Sequence, residues 1–245
     1  MNETLIAIVK EAGTIAKSYF FGEATVDTKA PYDLVTNADK IVEEFLMQKI
    51  AEISPEATIY GEESGYTHKK DKNHLFVIDP IDGTANFVFR VPYFAVSLAE
   101  IRNGEVVTAI VYNPISEDLF YADKESPALL NGFEIQVSPR SEVNDSLVIF
   151  GFSANSSYIA RYQKEWPHVM DRAKKGMPLL SPSLNLCSIA SGRVDGYIDF
   201  KCSFEGQVAG AFILQKAGGT VTNYLEDSYD FTKEGIVATN GTLKV

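Results

Sequence analysis

Residues 75–89, with the sequence LFVIDPIDGTANFVF, are the most informative stretch of this chain. The apolar run at 75–78 predicts a short buried strand, and the Asp-Pro and Asp-Gly pairs that follow it are turn formers. Two carboxylates, Asp79 and Asp82, therefore stand at the end of a strand. Pro80 bends the chain between them and can direct both toward one point. Acidic groups held that close repel each other unless a cation joins them.

Two interpretations of these acidic residues are open from the pattern alone. In the first, Asp82 is the N-cap of a short helix and Asp79 binds loop amides, so that the stretch is a capped turn. In the second, the carboxylates bind a metal ion. Another acidic group, GEES at 61–64, also follows a short β-like run, at 58–60, and favours the second interpretation. Several carboxylates at strand ends are typical of a site for a hard cation.

Four sequence blocks resemble, in the same order, the motifs of the inositol monophosphatase family of magnesium-dependent phosphatases. They are DLVTNAD at 33–39, GEES at 61–64, DPIDGTANF at 79–87 and QVAGAFILQKAGG at 207–219. The resemblance covers nearly the whole chain. It implies an α+β fold, a layered α/β/α/β/α sandwich with two mixed or antiparallel sheets, and a homodimer that uses Mg²⁺.

The resemblance also implies which residues hold the metal. Glu62, Asp79 and the carbonyl of Ile81 would bind one Mg²⁺, and Asp79 and Asp82 would bind a second, with Gln207 at the position of a further ligand. Two such ions can activate a water and neutralise both the attacking and the leaving oxygens of a phosphate ester.

Catalytic and phosphate-binding roles follow from the same resemblance. Glu62 and Thr84 would orient the attacking water, and Asp39 would support the metal ligands from the first turn of a helix. The backbone N–H groups of Gly83 and Thr84 would bind the phosphate. Glu63, beside Glu62, is expected to face solvent or a loop amide.

One functional position departs from the family motif. Family members usually carry an aspartate where this chain has Gln207, and a neutral amide adds no full charge, so the second ion should bind more weakly. Glu205 could substitute as a ligand. The segment 199–205 lies where the family contacts the rest of the substrate, so Glu205 and Lys201 are also candidates for substrate binding. Lys201 could meet a second phosphate or be solvated. Lys29 is a further candidate near the metal site.

Composition limits the function classes. The chain has 33 acidic and 22 basic residues and a formal charge of −11, which argues against nucleic acid as a partner because such binding needs many Lys and Arg. Two cysteines make no disulfide framework, and no apolar run reaches the roughly 18 residues of a membrane span. Since no signal peptide is recognisable, we expect a cytoplasmic protein without a membrane partner.

The resemblance implies one catalytic unit over 1–245, and a polar stretch at 139–144 divides it into possible subdomains at 1–140 (α+β, metal-binding) and 141–245 (α/β, substrate side). Helices are expected at 1–21, after a cap at Thr36 or Asn37, at 156–175 with a kink or a division at Pro167, at 184–190 and at 207–217. Strands are expected at 94–101, 105–112, 118–122, 133–137, 147–151, 194–200, 220–223 and 236–238. An antiparallel sheet is expected in the first half.

The predicted function is Mg²⁺-dependent hydrolysis of a phosphate monoester on a small polyol or sugar, either inositol monophosphate or fructose 1,6-bisphosphate. The absence of a Gly-rich phosphate loop and of a nucleophile elbow leaves nucleotide-binding and covalent serine mechanisms without support. Two alternatives stay open. One is a phosphatase for 3'-phosphoadenosine 5'-phosphate. The other, suggested by Gln207, is a catalytically weak protein of the same fold that binds a phosphorylated ligand or a partner.

Overall fold

The computed structural model describes residues 1–30, 33–67, 71–151, 156–177, 179–226 and 228–244. Within these ranges the helices α1–α7 span Glu3–Phe21, Asn37–Ile53, Thr84–Val88, Ser156–Glu165, Pro167–Arg172, Pro182–Ala190 and Phe204–Lys216. The strands β1–β15 span Val26–Ala30, Asp33–Thr36, Ala57–Gly61, Gly65–Thr67, Asp71–Asp82, Ala95–Arg102, Glu105–Asn113, Asp118–Asp123, Leu129–Leu130, Phe133–Glu134, Leu147–Phe150, Lys175–Met177, Gly196–Asp199, Thr220–Asn223 and Ile236–Thr239. No helix in the described ranges has the length and apolarity that a membrane crossing needs.

Two large sheets and one small hairpin form the framework. The larger sheet has eight strands in the order β10-β9-β8-β7-β6-β5-β3-β4, and the smaller has five in the order β12-β11-β13-β15-β14. Strands β1 and β2 pair separately and antiparallel. Both large sheets are mixed, because β3 runs parallel to β5, and β11 runs parallel to β12 and β13. The prediction of an antiparallel sheet in the first half of the chain is therefore only partly correct.

Three hydrophobic clusters join these sheets to the helices in five layers. The first lies between α1 and α2 and the eight-stranded sheet, the second holds α6 and α7 between the two sheets, and the third packs α4 and α5 on the five-stranded sheet. Strand β6 shows how one sheet contributes to two clusters, because successive side chains of a strand point to opposite faces: Val96 and Leu98 point into the first cluster, whereas Ala95 and Ala99 point into the second. The predicted α+β fold and α/β/α/β/α order are confirmed.

Polar residues cap the first two helices. Asn2 caps α1, and Thr36, one of the two predicted cap residues, caps α2 in a capping box with Asp39. The predicted helical segment 156–175 is divided into two helices, as one of the two expectations for Pro167 has it, because Pro167 begins α5 after a break at Trp166.

Several other predicted bounds need correction. Lys175 belongs to strand β12 rather than to a helix. The last helix begins at Phe204 rather than at Gln207, and the strand expected at 133–137 covers only Phe133–Glu134. The division of the chain into subdomains at 1–140 and 141–245 stays a prediction.

Asp195 connects the segment that follows the first sheet to the second sheet. Its buried carboxylate accepts hydrogen bonds from Nε of Arg140 at 2.8 Å, from the hydroxyl of Ser138 and from the backbone N–H of Leu147 at 2.8 Å. A carboxylate that satisfies three donors from two separate segments fixes their relative position.

We expect Asp195→Asn to lower the free energy of unfolding by roughly 3 kcal/mol, because removing one partner of a buried ion pair leaves the other groups unpaired. Urea denaturation measures the loss. The control is Asp118→Asn, which breaks the more exposed pair with Arg193 and should cost less than about 1 kcal/mol. Equal losses in the two variants would contradict the role given to Asp195.

Candidate active site

Two parallel neighbouring strands bring the acidic motifs side by side. Strands β3 and β5 pair with Gly61 opposite Ile78, so the residues that follow, Glu62 and Asp79, come next to each other where this pairing ends. The carboxyl ends of parallel strands meet in this way. The local sequence pattern predicts each strand but contains no information about their pairing.

A bulge in β5 turns Asp79 and Asp82 toward the same side of the sheet. Against β6, Asp79 pairs with Ser97 and Asp82 pairs with Ala95, so one extra residue is accommodated between the two acids. In a regular strand their side chains would point to opposite faces. The bulge lies at Pro80, where the sequence predicts a bend.

Asp82 is held by the start of α6. Its Oδ2 accepts hydrogen bonds from the Ser181 hydroxyl at 2.5 Å, from the backbone N–H of Ser183 at 2.9 Å and from the Ser183 hydroxyl. Burial raises the pKa of Asp82 to about 6, although these hydrogen bonds act in the opposite direction. The interpretation of Asp82 as a helix N-cap is wrong, because Gly83 occupies the N-cap position of α3.

Gly83 occupies a position that only glycine suits. Its φ is 99°, in the left-handed region, and a Cβ there would lie 2.6 Å from the carbonyl oxygen of Leu180. Because Gly83 has no side chain, the turn between β5 and α3 can pack closely against the segment that carries Ser181.

Asp39, in the first turn of α2, connects this helix to the turn after β5. Its Oδ2 accepts from the N–H of Thr36 at 2.8 Å and from the Thr36 hydroxyl at 2.6 Å. Its Oδ1 accepts from the Thr84 hydroxyl at 3.1 Å, and the same hydroxyl lies 3.2 Å from the carbonyl oxygen of Ile81. Burial raises the pKa of Asp39 despite these donors.

Glu62 and Glu63 both contribute to the acidic cluster. One carboxylate oxygen from each of Asp39, Glu62 and Glu63 lies within 4.8 Å of the other two, close enough to share one ion. The expectation that Glu63 faces solvent or a loop amide stays a prediction, since its side chain is only half-buried. The loop after β3 directs consecutive acidic side chains to one region, which alternation along a strand would not do.

Asp79 has the most unfavourable surroundings of these carboxylates. Burial is the largest cause that raises its pKa, followed by the negative charges of Glu62, Asp82, Glu205 and Asp39. Its Oδ1 is inaccessible to solvent and has no hydrogen-bond partner in the described part of the chain. A buried carboxylate oxygen without a donor is costly, and a cation would remove that cost.

Gln207 is buried at the start of α7 with its amide orientation fixed. Its Nε2 donates to the carbonyl oxygens of Cys202 at 3.2 Å and Lys233 at 2.8 Å. The amide Oε1 is buried and lacks a hydrogen-bond partner among the described residues. The nitrogen is thus occupied and the oxygen is left available as a ligand.

The three remaining predicted site residues lie in different surroundings. Glu205 is half-buried, acts electrostatically on Asp79 and lies 3.5 Å from the hydroxyl of Tyr60, whose pKa rises to about 12 mainly through burial. Lys201 is exposed, with its backbone N–H bound to Asp199. The side chain of Lys29 lies outside the described part of the chain.

The profile of one known family matches residues 1–245 in full. The chain belongs to the inositol monophosphatase family. Among its relatives, the Nus factor SuhB of Escherichia coli K12 is 32% identical, over 98% of this chain and 91% of that protein. The inositol-1-monophosphatase of Caulobacter vibrioides is also 32% identical, over 91% of this chain and 90% of that protein. The solved IMPase of Thermotoga maritima has a TM-score of 0.89 at 26% identity, over 99% and 93% of the two chains.

Membership of the inositol monophosphatase family supports a phosphatase, and the acidic cluster agrees with the metal dependence that is general in this family. Residues that the motifs did not single out also contribute to the geometry, namely Ser181, Ser183 and Glu43. Only Glu43 had a signal in the sequence: it lies four residues after Asp39, on the same helix face.

We expect Asp79→Asn to raise the melting temperature of the metal-free protein at pH 8, because the neutral amide removes a buried, repelled charge. A gain of about 1 kcal/mol would correspond to roughly 2–4 °C in a domain of this size. The pKa of Asp79 is raised in the folded state, so the wild type gains stability as the pH falls, and the difference between the two proteins should shrink toward pH 5.

Thermal unfolding in a chelator, at pH 5 and pH 8, measures this difference. Asp171→Asn, at an exposed position on α5, is the matched control and should leave the melting temperature unchanged. A variant that is less stable than the wild type at both pH values would show that the Asp79 carboxylate has a stabilising partner.

Proposed function

We propose that this protein hydrolyses the phosphate monoester of a small polyol or sugar and uses Mg²⁺ as cofactor. The observation that carries the proposal is the buried, unpartnered Oδ1 of Asp79 among the charges of Glu62, Asp82 and Glu205. Such an oxygen needs a cation, and ligands that are all oxygen atoms suit a hard divalent ion such as Mg²⁺.

The residues that would hold the metal in this proposal are Glu62, Asp79, Asp82, the carbonyl of Ile81 and the amide oxygen of Gln207. The unpartnered oxygens of Asp79 and Gln207 support this assignment. When bound, the metal would make a water more acidic and offset the charge of the phosphate and of the leaving oxygen.

The protein groups around the metal would position the water and the phosphate. The Thr84 hydroxyl can give its proton to Asp39 or to the carbonyl of Ile81, which leaves its oxygen free to accept a hydrogen from a water. Glu62 would accept the second hydrogen of that water. The N–H groups of Gly83 and Thr84, at the start of α3, would donate to the phosphate.

The choice of substrate rests on weaker support than the choice of reaction. The names of relatives such as the Caulobacter inositol-1-monophosphatase favour inositol monophosphate. The exposed Lys201 could meet a second phosphate, which keeps fructose 1,6-bisphosphate and 3'-phosphoadenosine 5'-phosphate as candidates. The proposal also includes the homodimer that the family resemblance implies.

The decisive assay is phosphate release from inositol 1-phosphate and fructose 1,6-bisphosphate, side by side, as Mg²⁺ is titrated from none to tens of millimolar. We expect release only with Mg²⁺, and a loss of about 100-fold or more in Glu62→Gln because a metal ligand and water acceptor is removed. Glu11→Gln, at an exposed position on α1, is the control and should match the wild type. Metal-independent release, or normal turnover in Glu62→Gln, would contradict the proposed mechanism.

A second candidate is a protein of the phosphatase fold that binds a phosphorylated ligand or a partner and catalyses little. Gln207 favours it, since a neutral residue stands where the family usually has an acid. The name of the Escherichia coli relative, Nus factor SuhB, also favours a role other than hydrolysis. No release from inositol 1-phosphate, from fructose 1,6-bisphosphate or, in an added assay, from 3'-phosphoadenosine 5'-phosphate at any Mg²⁺ concentration would select this candidate.

We expect Gln207→Asp to lower the Mg²⁺ concentration for half-maximal rate by roughly tenfold, because the change adds a negative ligand. The substitution also removes the two hydrogen bonds that Nε2 donates and can lower stability, so the melting temperature is measured in parallel. Gln215→Asp adds the same charge at an exposed position on α7 and controls for general electrostatics. An unchanged or higher requirement would indicate either that Glu205 serves the metal instead or that position 207 has no role at the second ion.

A further inference from the structure

Helix α2 carries a second buried carboxylate that the proposed mechanism does not use. Glu43 is 3% exposed and lies one helical turn after Asp39, on the same face of α2. Its Oε2 accepts from the backbone N–H of Glu63 at 2.8 Å, and its Oε1 accepts from the backbone N–H of Ser64 at 3.0 Å. Both oxygens are thus bound to the loop that follows β3.

The fit between Glu43 and this loop is tight. Strands β3 and β4 close a hairpin in which Gly61 is opposite Gly65, so residues 62–64 form the whole loop. A Cβ on Gly61 would lie 2.5 Å from the carboxylate of Glu43. The absence of a side chain at Gly61 is what lets the carboxylate reach the two N–H groups.

The loop needs such an anchor because of the charges it carries. Glu62 and Glu63 present carboxylates close to Asp39, and like charges at this distance push the loop away from the helix when no cation is bound. Two charge-assisted hydrogen bonds from the loop backbone to α2 oppose that repulsion without using either acidic side chain.

We infer that Glu43 is the positioning residue that holds the loop carrying Glu62 in place for metal binding. The inference rests on the proposed function, since it assumes that the acidic cluster binds a divalent ion. Asp39 and Glu43 then make α2 a common support: the first holds the Thr84 hydroxyl, and the second holds the loop after β3.

The choice of variant follows from the hydrogen-bond chemistry. A carboxylate offers two acceptor oxygens, whereas a glutamine amide offers one acceptor and one donor group. In Glu43→Gln one backbone N–H of the loop therefore faces another donor, although the side chain keeps its size. Glu44→Gln makes the same chemical change at the adjacent, exposed position and is the matched control.

The experiment is calorimetric titration of each full-length protein with Mn²⁺ as probe, together with the Mg²⁺ dependence of phosphate release. We expect Glu43→Gln to weaken Mn²⁺ binding by about 10-fold or more, the usual effect of removing a group that orients metal ligands. The Mg²⁺ concentration for half-maximal rate should rise by the same factor, while the rate at saturating Mg²⁺ changes little. Glu44→Gln should behave as the wild type.

Wild-type Mn²⁺ affinity in Glu43→Gln would overturn the inference, as would an equal loss in Glu44→Gln. A lower melting temperature with unchanged Mn²⁺ affinity would also overturn it, by showing a purely structural role. A wild type that binds no Mn²⁺ would instead overturn the proposed function. If Glu43→Gln does not fold, Gly61→Ala tests the same contact from the other side, and wild-type affinity there would overturn the inference.

Discussion

Carboxylates buried side by side repel one another, and the arrangement of this protein around β3 and β5 is built on that constraint. The parallel pairing of the two strands places Glu62 beside Asp79, and the bulge at Pro80 adds Asp82 to the same side. No single element would hold these charges together. The start of α6 donates hydrogen bonds to Asp82, and the carboxylates of α2 accept hydrogen bonds from Thr84 and from the loop after β3.

The supporting contacts come from two helices. Helix α2 holds Thr84 through Asp39 and the loop after β3 through Glu43, and the start of α6 gives three donors to Asp82. These donors offset only part of the charge. Asp79 keeps one buried oxygen without a partner, which is costly to stability and useful for metal binding.

Gln207 is the position at which this chain departs from the motif that its resemblance to the family implies. Its amide nitrogen donates to two carbonyl oxygens, and its amide oxygen has no hydrogen-bond partner among the described residues, so it can serve as a ligand but adds no charge. The relatives carry two kinds of name, inositol-1-monophosphatase and Nus factor SuhB, at the same 32% identity. Similarity therefore does not separate the catalytic and binding roles, and the difference must be decided at the metal site.

The sequence by itself determined the family, the α+β fold class, the caps of α1 and α2 and the acidic motifs at 61–64 and 79–82, because these depend on residue type and short-range spacing. Only the tertiary structure decided that Glu63 joins the cluster, that Ser181 and Ser183 bind Asp82, and that Glu43 anchors the β3–β4 loop. Ser181 lies about a hundred positions from Asp82 in the chain, and its hydroxyl reaches the carboxylate only when the tertiary structure brings the start of α6 to the end of β5. Strand pairing and helix packing create such contacts between distant segments, and the local sequence pattern does not predict them.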